Sequence, residues 1–237
     1  MTTNEQKVAI FTAISEESKL QKLNIRSIPV RNGCVQSFIH NDLSMVEPQL
    51  LARAVTKLDE VNMHGTHLNT EQLTAIFEAI CGDSKLKNLN IGGNDLSSVE
   101  PMLLARAITK LENVKMPNTS LQDDQILAIF LAISRNSQLK KLNIGHNNLS
   151  SVDPQLMVSA VSKLEEALMF STGLTSQQMK TVLATSKLQT SLKRMLIARP
   201  GSCAWVDRDL LLQVGHDIML EVKEKDEDVE YWNGFGP

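Results

Sequence analysis

The chain has 237 residues, a formal net charge of −3, a sequence pI near 6.0 and 42% hydrophobic residues. That is enough apolar material for one sizeable core or a repeat array, and the charge argues against a general polyanion binder, which carries a basic footprint. Three widely spaced cysteines (Cys34, Cys81, Cys203), no Cys-x-x-Cys, no signal-peptide pattern at the start and no run of about 18 apolar residues point to a soluble cytoplasmic chain.

The first predicted element is a helix. Residues 5–14, EQKVAIFTAI, match residues 71–80, EQLTAIFEAI. Residues 1–17 thus read as an orphan helical half-repeat without its strand, either a cap or, as the preferred expectation, one end of a piece of a longer polypeptide.

Short strands follow at regular intervals. SKLQKLNI (18–25), SKLKNLNI (84–91) and SQLKKLNI (137–144) share one pattern, and LDEVNM (58–63), LENVKM (111–116) and LEEALM (164–169) share another. The last two of the first set start 53 residues apart, and so do successive members of the second. Two repeat types therefore alternate over residues 18–197. The first is interrupted: fifteen residues separate Ile25 from Asn41, whereas two separate Ile91 from Asn94. The surplus, near 26–38, is open to three readings: a binding loop, a disordered insertion or a gene-model artefact.

Each unit fits Leu-x-x-Leu-x-Leu-x-x-Asn-x-Leu. Leu86, Leu89, Ile91, Asn94 and Leu96 fill it, as do Leu139, Leu142, Ile144, Asn147 and Leu149; the second type has Thr, as in Leu111, Val114, Met116, Thr119 and Leu121. An Asn amide after a strand supplies donors and an acceptor to backbone groups that no strand neighbour reaches. Asn41, Asn94 and Asn147, alternating with Thr66, Thr119 and Thr172, are expected to form a structural ladder.

The second half of each unit reads as a helix. In VEPMLLARAITK, Ser98 is the expected cap and Pro101 falls in the first turn, with Pro48 and Pro154 equivalent. Ile126, Ile129, Phe130 and Ile133 make an apolar stripe, repeated by Leu73, Ile76, Phe77 and Ile80. Thr175 and Gln178 fit a capping box. After a last strand at LKRMLI (192–197), residues 198–222 read as a degenerate C-terminal cap with a possible strand near Ile218–Val222, and residues 223–237 as an acidic then aromatic tail.

These motifs resemble the leucine-rich repeat family, and the long alternating units resemble its ribonuclease-inhibitor-like subclass. The resemblance implies an α/β solenoid (horseshoe), with parallel strands on the concave face and helices on the convex face. It also implies a non-catalytic protein-protein interaction module, as in the C-terminal repeat domain of nucleotide-binding immune receptors. A GTPase-activating regulator of the Ran type and a cytoskeletal cap resembling the tropomodulin repeat domain are the alternatives.

No phosphate loop, His-Glu-x-x-His, Gly-x-Ser-x-Gly or zinc-finger spacing is present. The expectation is no catalytic residue, no cofactor, no metal and no small-molecule substrate. The partner is a protein of unknown identity, with no nucleic acid and no membrane. On the concave face, charges alternate in sign between adjacent units, as in Lys22, Glu60, Lys141, Glu166 and Arg194, or Lys87, Glu112, Lys140 and Glu165. The exposed middle position is read as Asn24, Asn62, Asn90, Lys115, Asn143, Leu168 and Leu196, polar and then apolar. The candidate partner-binding residues are Leu168, Phe170, Leu196, Lys115, His64 and His146, and the aromatic tail is expected to fold over the apolar end. His64 and His146 lie three strands, roughly 14 Å, apart and are not expected to share a metal.

Overall fold

The computed structural model describes residues 3–17, 19–32, 35–39, 41–186, 192, 194–196 and 219–220. Helices α1 (Asn4–Glu17), α2 (Pro48–Thr56), α3 (Thr70–Cys81), α4 (Pro101–Ile108), α5 (Asp123–Arg135), α6 (Pro154–Val161) and α7 (Ser176–Ser186) alternate with short strands. These are β1 (Lys22–Asn24), β4 (Glu60–Asn62), β5 (Asn88–Asn90), β6 (Asn113–Lys115), β7 (Lys141–Asn143), β8 (Glu166–Leu168), β9 (Arg194–Leu196) and β10 (Met219–Leu220). They form one sheet in that order, every neighbouring pair parallel.

The register explains the repeat. Leu23, Val61, Leu89, Val114, Leu142, Ala167 and Met195 are partners along one row. From Val61 onward this row is buried against the helices. The helix stripes meet it: Leu73, Ile76, Phe77 and Ile80, and Ile126, Ile129, Phe130 and Ile133, are all at most 1% exposed. Parallel strands with helical crossovers on one face leave the other face of the sheet as the inner surface of the curve.

The turn after each strand is held as the Asn and Thr pattern requires. Asn94 Nδ2 donates to the carbonyls of Met63 and Ile91, both at 2.9 Å, and its Oδ1 accepts from Leu68 N at 3.0 Å. Asn147 repeats this on Met116 and Ile144 at 3.0 Å, accepting from Thr119 N at 3.1 Å. Each Asn thus clamps the preceding Thr-type unit. Thr66, Thr119 and Thr172 donate to carbonyls of their own units, those of Met63, Met116 and Met169, and Thr119 Oγ1 also reaches Asn147 Oδ1 at 3.3 Å.

The helix starts differ from the sequence expectation. Ser98 lies in the preceding turn, and Glu100 is the cap: its carboxylate accepts from Met102 N at 2.8 Å and from Leu103 N. Glu47 and Asp153 do the same in α2 and α6. A carboxylate reaches two orphan amides and complements the helix dipole, which a serine hydroxyl does less well. In the other helices Gln72, Gln125 and Gln178 close capping boxes and reach into the preceding unit. Gln125 Nε2 donates to Leu96 O at 2.7 Å and Val99 O at 2.6 Å.

The interruption in the first unit is a hairpin, with β2 (Ile28–Asn32) and β3 (Val35–Ile39) antiparallel. The repeat frame closes across its base. Ser27 N donates to His64 O at 2.9 Å, as Gly65 N does to Gly92 O at 2.8 Å, and Asn41 Nδ2 donates to Arg26 O at 3.1 Å. Arg26 and Ser27 therefore keep their repeat positions, and the extra residues are 28–40.

At the first unit, Phe11 and Ile14 of α1 are buried as Phe77 and Ile80 are. Lys7 stands where Leu73 stands in α3, buried, with Nζ on Asp42 O at 2.5 Å. Ile10, the counterpart of fully buried Ile76, is 37% exposed, because among the described residues no unit stacks on that side. The expected cap over residues 198–222, apart from β10, and the tail over 223–237 lie outside the described residues.

Candidate functional site

The concave surface is built from three rows of side chains, one from each of three positions in every unit. The first row is charged on either side of Asn88 and Asn113, and its charges pair across strands. Lys22 Nζ lies 3.1 Å from Glu60, and Lys141 Nζ 3.6 Å from Glu166. Beside this row Lys140 Nζ reaches Glu112 at 2.6 Å. The alternation of sign read from the sequence is thus realised as ion pairs between adjacent strands.

The second row is Asn62, Asn90, Lys115, Asn143 and Leu168, partners in register. The expectation of an exposed row is corrected here. Asn62, Asn90 and Asn143 are 2, 7 and 8% exposed, and Leu168 is 6% exposed. The cause is local. Each Asn Oδ1 accepts from the backbone N–H two residues on, at His64, Gly92 and Gly145. The amide therefore folds back along its strand, while strands about 4.8 Å apart leave little room between neighbours. Leu168 offers no open apolar patch. Leu196 is its strand partner, and its side chain lies outside the described residues.

Lys115 is half-buried in the middle of this row, between Asn90 and Asn143. Burial lowers the pKa of its ammonium; Glu166 and Glu60 oppose the shift and Lys141 adds to it. The centre of the curve thus holds a cation partly stripped of water.

The third row carries rings and gaps: His64, Gly92, Pro117, Gly145 and Phe170 follow one another from unit to unit. The rings lean over the glycines. A Cβ on Gly92 would lie 2.6 Å from His64 Nδ1 and 2.7 Å from Pro117 Cδ, and one on Gly145 would lie 2.8 Å from the Phe170 ring. Phe170 also meets His146 edge to face, centroids 5.0 Å apart at 89°. His146 stands in the following turn with φ 58°, where Gly93 has φ 67°. Burial lowers the pKa of His64, with the Arg26 cation adding to the effect.

The structure therefore joins Phe170 to His146 and places Lys115 on the floor, with His64 in the ring row some strands away. His64 and His146 are not brought together, since β5 and β6 separate the strands that precede them. Among the described residues, no group of three or more His, Cys, Asp or Glu side chains could hold a metal ion, and no helix is long and apolar enough to cross a membrane. The sequence reading missed the committed oxygens of Asn62, Asn90 and Asn143. The repeat of Asn at one strand position was the available signal.

Residues 138–159, which include β7 and the start of α6, match the family model described as Leucine Rich Repeat. The chain's fold is that of a leucine-rich repeat solenoid, parallel strands alternating with helices. Among solved structures, the leucine-rich repeat-containing protein LegL7 from Legionella pneumophila aligns with it at 15% identity and a TM-score of 0.47. That alignment covers 66% of this chain and 53% of the other, so this solenoid spans about half the length of that protein. Comparison with curated proteins finds no match. Within the solenoid, the Asn and Thr turns and the Gln bridges are structural, whereas the three concave rows face what the curve encloses.

Proposed function

We propose that this solenoid is a non-catalytic module that binds a partner protein through its concave face. The observation that carries the reading is Lys115: a half-buried ammonium on the floor of the curve, flanked by two buried amides. Glu60 and Glu166 near it are bridged to Lys22 and Lys141, so the surrounding charge is largely cancelled. A partly desolvated donor inside a concavity gains more from a partner's oxygen than an exposed lysine does. Phe170 and His146, packed edge to face, add an aromatic anchor at one side of the same face. The alternation of Asn-type and Thr-type units supports the ribonuclease-inhibitor-like subclass, and with it a receptor-like context.

Affinity capture with quantitative mass spectrometry tests the proposal. Wild-type protein is compared with Lys115→Glu, Phe170→Ser and a convex control, Met102→Asp, each with an unchanged melting midpoint. Proteins enriched by wild type and by the control, and lost with both concave variants, are the expected result. Loss with Met102→Asp and retention with the concave variants would move the partner to the helices.

A further inference from the structure

The hairpin inserted in the first unit stands apart from the repeat sheet. Its strands β2 and β3 form a two-stranded sheet of their own, and among the described elements each packs closely only on the other. An isolated two-stranded ribbon is marginally stable in water and gains from further strands. The register shows which edge can take one. Asn32 pairs with Val35 across two intervening residues, so this pair exchanges its own N–H and C=O groups. The ladder alternates, which makes Val30–Ser37 and Ile28–Ile39 hydrogen-bonded pairs too. Pro29–Phe38 and Arg31–Gln36 are then the pairs whose backbone groups point out of the ribbon.

The two edges differ. On β2 the outward positions are Pro29, which has no N–H to donate, and Arg31, which brings a charge. Proline and charge are the residues with which natural sheets close an edge. On β3 the outward positions are Gln36 and Phe38, and the whole strand, VQSFI, holds neither a charge nor a proline. We propose that this open edge of β3 pairs antiparallel with β3 of a second copy of the chain, joining two hairpins into a four-stranded sheet. A register centred on Ser37 suits the pairing. It sets Gln36 opposite Phe38 of the other copy, so both outward residues of each strand find backbone partners. Val35 falls opposite Ile39, a β-branched pair on one face, and the small Ser37 meets its own counterpart at the two-fold axis. Centring on Gln36 or on Phe38 would leave one outward residue beyond the end of the partner strand. Both outer edges of the product are β2, closed by Pro29, so association stops at the dimer. The inference is independent of the concave-face reading.

Sedimentation velocity over a concentration series tests it, on wild type and two proline variants. A single strand pair is a small interface, so the dimer is expected to dissociate at roughly micromolar concentrations or above. Phe38→Pro removes an outward N–H from the open edge, and Arg31→Pro removes one from the closed edge; neither touches a hydrogen bond between β2 and β3. Wild type and Arg31→Pro are expected to dimerise alike and Phe38→Pro to stay monomeric, all with one melting midpoint. Ser37→Cys, in a background with Cys34, Cys81 and Cys203 replaced by serine, is expected to give a disulfide-linked dimer under mild oxidation. Gln36→Cys is expected not to, since only residue 37 lies opposite itself. A monomer up to about 0.5 mM, a dimer that Phe38→Pro leaves intact or that both proline variants abolish, or equal cross-linking at 36 and 37 would overturn the proposal.

Discussion

Asn94 and Asn90 are four residues apart and do different work. Asn94 joins the backbones of two units through Met63, Ile91 and Leu68, whereas Asn90 ties only Gly92 N within its own turn. Asn94→Ala is predicted to cost about 1–3 kcal/mol by leaving buried groups unpaired, and Asn90→Ala about 1 kcal/mol, since one buried amide loses its acceptor. Denaturant melts of the two variants check the difference, and equal midpoints would contradict it. Gly145→Ala should cost about 1–3 kcal/mol because its Cβ meets the Phe170 ring. Adding Phe170→Ala should recover most of that loss, whereas His64→Ala should rescue Gly92→Ala only in part, because Pro117 still obstructs. Double-mutant cycles read both couplings.

His64 gives a pH dependence. Its folded pKa lies below the ordinary 6.5, mainly through burial. Between the folded value and 6.5 the unfolded chain binds more protons, so stability falls as pH drops through that window. Urea melts from neutral to acid pH should show this slope, and His64→Gln should flatten it. The Asn and Thr ladder was legible in the sequence because it repeats in register. The contacts of the third row were not, because they depend on which ring the next unit places over a glycine.

At the scale of elements, the helix starts carry the links between units. Gln125 closes a capping box and also reaches Leu96 O and Val99 O in the unit before. Gln125→Ala should therefore cost more than the usual cap, about 2–3 kcal/mol. Glu100→Ala should cost about 1 kcal/mol and Ser98→Ala under about 0.5 kcal/mol. Thermal melts of the three rank the assignments, and a larger loss at Ser98 than at Glu100 would reverse them. The prolines after Glu47, Glu100 and Asp153 locate these starts in the sequence, but serine's general preference as a cap points two residues too early, to Ser98. The hairpin had a partial signal in the sequence: Asn32-Gly33 marks a tight turn, although Asn32 pairs with Val35 and so belongs to the strand. It was obscured because the segment reads first as a break in the repeat.

At the scale of the whole molecule, the periodicity was enough to give the curve, since one apolar row per strand and one stripe per helix leave a single way to stack. The site was less legible. Periodicity says which positions face inward, but not which are covered, and Asn62, Asn90, Asn143 and Leu168 proved buried where exposure was expected. The central claim is that the inner surface holds the partner. Site-specific photo-crosslinking tests it most directly, with benzoylphenylalanine placed in turn at Asn113, on strand β6 beside the Lys115 floor, and at Met102, 66% exposed on helix α4. Discrete adducts from Asn113, absent from Met102 and lost on Lys115→Glu, are the predicted result. Adducts from Met102 alone, or equally from both positions, would contradict the claim.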